Sequence, residues 1–387
     1  MNRGLIVWGA LTGAVGCGGG GAEEPADPRP PTAIADLLQL PVGFPLPQIP
    51  ERNPLTAEKI ELGRHLFYDT RLSGNGTQSC GSCHFQELAF ADGLIAPTGS
   101  TGQVHTRNSQ GLSNAAYNAN LTWANPLLDT IEQQILGPLF GETPIELGAV
   151  GNEDEILGRL ASDPLYQDLF TSAFPEHDDA IEFGAIVDAL ASFVRTMISG
   201  NSPFDRLAYQ DDDNALSDAA KRGMTLFFSE VTECHHCHGG FNFTFSTVHE
   251  NTAFEAEDFH NTGLYNVDGE GAYPASDRGV FDVTGNPGDM GKFRAPSLRN
   301  VGLTAPYMHD GSVATLEDVI RNYEAGGRVI EDGPNAGDGR DSPLKSGFVQ
   351  GFALTDAERD DLIEFLNSLT DDRFVNDPRF SNPFELR

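Results

Sequence analysis

Cysteine and histidine recur twice in one pattern: Cys80-Gly81-Ser82-Cys83-His84 and Cys234-His235-His236-Cys237-His238. Two thiols three residues apart, followed directly by an imidazole, are the attachment signature of a c-type haem. The thiols add across the haem vinyl groups, and the adjacent His reaches the iron through a ring nitrogen. The same residue types could hold zinc. Zinc knuckles, however, pair two Cys-x-x-Cys runs about 15–20 residues apart. Here the runs are 154 residues apart, and each carries its own His. The spacing predicts two covalent haems c, one on Cys80, Cys83 and His84, the other on Cys234, Cys237 and His238. His84 and His238 are the expected iron ligands. Two haems in one chain make redox chemistry the leading reading.

The motifs use four of the five cysteines. The fifth, Cys17, follows a basic start at Arg3, an apolar run over residues 5–15 and a small residue. That run is too short to span a bilayer and reads as a secretion signal. Ala14-Val15-Gly16-Cys17 resembles a bacterial lipobox, in which the Cys carries lipid, although Ala stands where Leu is usual. An ordinary signal peptide is the alternative. Covalent haem attachment in bacteria occurs outside the cytoplasm, so motif and signal agree on a periplasmic protein, lipid-anchored at Cys17. Residues 18–32 are rich in Gly, Pro and Glu and lack apolar periodicity, as a flexible tether would. The formal charge is −33, from 57 acidic against 24 basic residues. That argues against nucleic acid, whose phosphates call for a basic surface. It favours solubility and could steer a basic partner.

The motifs need elements to hold them. Gly63-Arg64-His65-Leu66-Phe67 precedes the first, and Gly223-Met224-Thr225-Leu226-Phe227 precedes the second. Both end amphipathic stretches, residues 56–67 and 217–228, that predict helices with Thr56 and Ser217 as N-caps. A Gly/Asn-rich loop follows each motif, then Arg107-Asn108-Ser109 or Arg294-Ala295-Pro296-Ser297-Leu298-Arg299-Asn300. The halves read as a divergent repeat of one cytochrome c unit. A strongly apolar helix is expected over 181–199, and Thr355-Asp356-Ala357-Glu358 is a capping box opening another to about residue 369. Strand patterns are scarce, so the fold class is all-α with two cytochrome c-like domains. The expected boundaries are a signal over 1–17, a tether and lead-in over 18–50, and domains over 51–213 and 214–387. The Gly/Asp-rich loop over 244–291 is expected on the surface.

The order of motifs resembles the di-haem cytochrome c peroxidase and MauG family, over almost the whole chain after the signal. The carrying residues are both haem motifs, Arg107-Asn108, residues 123–147, and the run from Phe293 through Asn300 to Thr304-Ala305-Pro306-Tyr307-Met308-His309-Asp310-Gly311. Within the family, Leu121-Thr122-Trp123-Ala124-Asn125-Pro126 and residues 140–148 are most similar to the MbnH-type branch. Its members are paired with a small copper-associated protein and oxidise a Trp on it.

The resemblance implies roles. The second axial ligand of the C-terminal haem falls at Tyr323, where the peroxidases carry Met; Met308 and Met290 are the alternatives. A thioether raises a haem's potential, whereas a phenolate favours the ferric and higher states. The N-terminal haem is the expected reactive one, with Glu146 as the acid–base group for peroxide cleavage and Glu142 as the alternative. Pro138 lines that pocket, and Gln133 hydrogen-bonds there. His105 reads as a loop His rather than a ligand. Trp123 matches the bridge between haems. Asn108, Thr304 and Pro306 match an inter-domain calcium site of oxygen ligands. The implied activity is use of hydrogen peroxide to oxidise a Trp on a small exported partner, through a high-valent state shared by the two haems. One alternative is a peroxidase reducing hydrogen peroxide with a small electron donor. Another is a non-catalytic electron-transfer cytochrome. Tyr323 favours the first reading over the second, and Trp123 with Glu146 favours either enzyme over the third.

Overall fold

Each Cys-x-x-Cys-His motif follows a helix that crosses a second helix at a glycine. The computed structural model describes residues 33–177, 180–253 and 259–385; the signal and Cys17 lie outside the described residues. The helix Ala57–Tyr68 begins where the Thr56 hydroxyl accepts the Lys59 N–H. It packs across Phe183–Arg195. At the crossing, a Cβ on Gly63 would stand 2.0 Å from the Ala189 carbonyl oxygen and 2.9 Å from Phe193 Cβ. The second pair repeats this. Asp218–Phe227, capped by Ser217, packs across Asp356–Asn367. A Cβ on Gly223 would stand 1.9 Å from the Asp361 carbonyl oxygen and 2.9 Å from Phe365 Cβ. Only hydrogen fits at either place.

Four residues after each glycine a phenylalanine is fully buried. Phe67 meets Phe193 with ring centroids 5.4 Å apart, and Phe227 meets Phe365 at 5.2 Å. Each such ring contributes roughly 1.5–3 kcal/mol by leaving water. The sequence repeat is therefore one packing device used twice. The first core gathers around Leu62, Phe67, Phe90, Leu190 and Phe193, the second around Phe227, Phe243, Ile320, Leu362 and Phe365. The chain end returns to the first core, where Phe374 and Phe380 pack on Phe90. The lead-in packs too: from Ala33 onward it is no tether, since Leu38 and Phe44 are buried with Tyr117 and near Phe241.

The apolar helix expected over 181–199 stops at Arg195. Polar side chains take the backbone that follows: Asn114 accepts the Ser199 N–H, and Asp371 accepts those of Gly200 and Asn201. The loop over 244–291 is only in part surface structure. Leu264, Tyr265, Tyr273 and Val280 are buried with Ala124, Phe293 and Val313 as a third core cluster. Phe259–His260 pairs antiparallel with Phe293–Arg294. The buried aromatics are spaced too irregularly to show a period. Gly291, at φ 70°, lets the backbone lie against the Tyr273 ring, where a Cβ would approach to 2.1 Å. Otherwise the chain is helical, with two two-stranded antiparallel pairs among the described residues. No described helix is long and apolar enough to cross a membrane.

Candidate functional site

Cys80–Ser82 is a single tight turn, pinned where the Ser79 N–H donates to the Ser82 hydroxyl. His84 Nδ1 donates to the Phe90 carbonyl at 2.5 Å. That bond fixes the tautomer and leaves the Nε2 lone pair for a metal. Burial holds the His84 pKa below its ordinary value, so the ring is neutral, as a ligand must be. Burial also pushes the thiols up, Cys80 to about 12 and Cys83 to about 11. Cys80, Ile135 and Phe140 each pack on Leu139, Leu147 and Val187, which give an apolar wall.

Glu146 directly precedes Leu147 of that wall. Pro138 lies in the last turn of the helix Ile131–Phe140, and its carbonyl accepts the Leu147 N–H at 2.9 Å. The Glu146 carbonyl accepts the Ser100 N–H at 2.7 Å, and Gln103 Oε1 accepts the Ile145 N–H at 3.0 Å. The Glu146 segment is thus clamped between a helix end and the 97–105 hairpin. The Glu146 side chain keeps 42% of its surface accessible, yet desolvation by the surrounding protein pushes its carboxyl up to about 7. Its charge is felt at Cys80 and Cys83. Glu142 is exposed.

Two residues make contacts that the sequence did not announce. Gln133 closes a capping box: its Oε1 accepts the Asp129 and Thr130 N–H groups at 3.1 and 3.2 Å. Position N3 of the helix uses the Oε1 acceptor of that side chain. His105, read as a plain loop residue, places Nε2 3.8 Å from Glu146 Oε1. The hairpin that carries it there closes through the Thr98–Val104 bridge. No local pattern announces this contact, because the partners are far apart in sequence.

In the second half, Cys234, Cys237, His238, Phe227, Met308, Ile320 and Tyr323 line a cavity of about 250 Å³. His238 Nδ1 stands 3.1 Å from the Pro296 carbonyl and 3.3 Å from that of Phe243. Tyr323 ends the helix Leu316–Glu324, and its hydroxyl has no hydrogen-bond partner among the described residues. Burial raises its pKa above the ordinary phenol value, with the thiols of Cys237 and Cys234 adding to the shift. Met308 shares the lining; Met290 does not.

These groups fit haem c better than zinc. Each half offers a thiol pair with apolar neighbours and a His whose Nδ1 faces a backbone carbonyl, and the second half adds the cavity. Among the described residues, one group of three His, Cys, Asp or Glu side chains brings its ligating atoms within 4.8 Å: Glu230, His235 and His236. It contains no Cys, so neither thiol pair is gathered into a zinc site.

Trp123 lies between the halves. Its Nε1–H donates to the Asn108 carbonyl at 2.9 Å, and its own carbonyl accepts the Arg294 N–H at 2.7 Å. Asn108 in turn donates its N–H to the His309 carbonyl at 2.7 Å. Asn108, Thr304 and Pro306 border the same cavity.

The family model for di-haem cytochrome c peroxidase matches residues 57–214. A cytochrome-c peroxidase of a Pseudomonas species (strain SCT) is 37% identical over 366 residues, covering 89% of this chain and 87% of that one. The methylamine utilization protein MauG of Methylorubrum extorquens is 32% identical over 376 residues, covering 94% of each. A crystal structure of a MauG-like protein associated with microbial copper homeostasis superposes with a TM-score of 0.87 at 51% identity, covering 89% of this chain and 99% of that one. The all-α expectation holds, and two haems c follow from the family. This chain belongs to the di-haem cytochrome c peroxidase and MauG family of haem-dependent oxidoreductases.

Proposed function

We propose that this protein uses hydrogen peroxide to oxidise a tryptophan on a small exported partner protein. The observation that carries this reading is Tyr323, a phenol without a hydrogen-bond partner in the cavity that holds Cys234, Cys237 and His238. A phenolate disfavours the ferrous iron that a donor-fed peroxidase must store, whereas a thioether favours it. The 51% identity to a MauG-like protein associated with copper homeostasis supports the same branch.

When bound, the haems supply the redox chemistry: they accept the oxidising equivalents of peroxide. The chain's residues do the rest. Glu146 takes a proton from peroxide at a carboxylate oxygen and returns it to the departing oxygen, which leaves as water. A pKa near 7 suits both halves of that transfer. Leu139, Leu147 and Val187 keep the adjoining wall apolar. The indole of Trp123, anchored through Nε1 to Asn108, passes charge between the halves. Asn108, Thr304 and Pro306 hold a calcium ion at that junction through oxygen atoms. The protein is exported to the periplasm and anchored by lipid on Cys17. Its acidic surface favours a partner with a basic docking face.

The test is peroxide added to the holoprotein together with the small exported protein encoded beside it. The expected result is a mass gain on a partner Trp, with slow turnover of small cytochrome or copper donors. Fast donor-dependent peroxide reduction with no modified partner restores the plain peroxidase. Tyr323→Met should push the protein toward that behaviour. The peroxidase reading has one observation in its favour, since Met308 lines the same cavity.

A further inference from the structure

Among the described residues four arginines are almost completely buried, and three of them are neutralised there. Arg195 forks onto Glu132, Arg299 onto Asp205, and Arg359 onto Glu324. Arg294 is the exception. It is 4% exposed and forms no ion pair. Its Nε donates to the Thr122 carbonyl at 3.2 Å and its Nη2 to Gln110 Oε1, both neutral oxygens. Its Nη1 is buried without any partner. Desolvation alone pushes its pKa down to about 10, with no carboxylate opposing the shift.

A buried charge without a counter-ion is among the costliest arrangements in a fold. The chain has 57 acidic residues; Glu233 borders the same cavity, but no carboxylate among the described residues pairs with Arg294. The counter-ion must then come from outside the polypeptide. Arg294 lines the cavity that also holds Cys234, Cys237 and His238. A haem c fixed to those residues carries two propionate carboxylates. A guanidinium is a planar fork suited to gripping a carboxylate, and its remaining donors here are already satisfied by neutral acceptors.

We propose that Arg294 is the receptor for a propionate of the C-terminal haem, through its unpaired Nη1. The assignment rests on the haems c of the family and not on the tryptophan-oxidation reading, so either can fail alone. It has a consequence for position. The Arg294 backbone N–H holds the Trp123 carbonyl, and its side chain holds that of Thr122. One residue thus ties the haem's carboxylate edge to the loop carrying Trp123. Arg294 acts as a positioning residue, and its charge stabilises the reduced, more negative haem.

The test uses the holoprotein with Arg294→Gln and Arg294→Lys. Pyridine haemochrome analysis first confirms two haems per chain. Spectroelectrochemistry should then show the C-terminal potential lowered in Arg294→Gln and largely restored in Arg294→Lys, with the N-terminal potential unchanged. Resonance Raman should show the propionate bending mode shifted in both variants, because lysine keeps the charge but loses the fork. Unchanged potentials and an unchanged propionate mode would overturn the assignment. So would equal shifts at both haems. If Arg294→Gln fails to take up haem, the Raman comparison of wild type with Arg294→Lys decides alone: a shifted mode supports the assignment and an unchanged one overturns it.

Discussion

The two halves share a scaffold and differ in what they aim at their thiol pairs. Gly63 and Gly223 admit a crossing helix in the same way, with Cβ approaches of 2.0 and 1.9 Å to a carbonyl oxygen. Phe67 and Phe227 fill the same place beneath each motif. Opposite the thiols the likeness ends. The first half presents a carboxylate and an imidazole, Glu146 and His105, 3.8 Å apart. The second presents the phenol of Tyr323 and the lone guanidinium of Arg294. Helix crossings were kept while the loops after each motif diverged, which is where a rigid scaffold usually carries its function. The first half is equipped to move protons and the second to hold charge.

The largest effect that could break this contrast is on peroxide cleavage. Glu146→Gln should slow the reaction with peroxide by about 10²–10⁴-fold, the usual contribution of a positioned acid–base group. Stopped-flow mixing with peroxide reads this directly. Glu142→Gln, on an exposed side chain, should react at the normal rate. If the second variant were slow and the first normal, the acid–base role would move to Glu142 and the division between halves would lose its basis.

Next in size is a pair of stability effects that test the shared scaffold. Gly→Ala within a helix ordinarily stabilises, by about 0.4–1 kcal/mol, when the site tolerates a methyl group. At Gly63 and Gly223 the sign should reverse. Forcing a methyl against a carbonyl oxygen of a packed helix should destabilise by about 1–3 kcal/mol or more. Denaturant titration of each holoprotein checks it. Gly63→Ala should loosen the first haem's environment and Gly223→Ala the second's, each seen in its own haem band. A neutral result at one position alone would mean that the repeat is a likeness of sequence and not of packing.

Much of this was legible because it is local. Cys-x-x-Cys-His is contiguous, Thr56 and Ser217 cap the helices they precede, and the Gly-to-Phe spacing of the repeat lies within one helix. Tyr323 and Trp123 could be placed only by resemblance, since nothing in their own surroundings marks a Tyr at a helix end or a Trp in a loop. What escaped depends on distant pairing. His105 meets Glu146 through a hairpin clamped by Gln103 and Ser100. Gln133 caps the start of its own helix through Oε1, a contact that a reading for a pocket role did not anticipate. The 244–291 segment hid its core because Leu264, Tyr273 and Val280 keep neither helical nor strand period. Arg294 is ordinary in sequence, and only the absence of any carboxylate partner in the folded chain sets it apart.

The smallest effect is the pH dependence, and it sharpens the contrast most. Desolvation raises the Glu146 carboxyl to about 7. As a base it must be ionised, so its reaction with peroxide should rise as pH passes through about 7. From about pH 8 down to about pH 6 the ionised fraction, and the rate, should fall about tenfold. A carboxylate of ordinary pKa would show no fall until below about pH 5. His105 does not account for the limb, because burial lowers its pKa below the ordinary value. Stability gives an independent sign. A carboxyl whose folded pKa is raised favours the folded state most below its ordinary pKa, and that advantage is lost as pH rises to about 7. Glu146→Gln should therefore be at least as stable as wild type at pH 8, which separates a lost acid–base group from a damaged fold. In the second half, three groups at the haem cavity stand clear of that range. His309 is pushed down to about 4, Arg294 sits at about 10, and Tyr323 lies above its ordinary value. The C-terminal haem spectrum should therefore hold steady from pH 6 to 8 while the peroxide rate changes. A spectrum that moved with the rate would mean that one titrating group serves both haems.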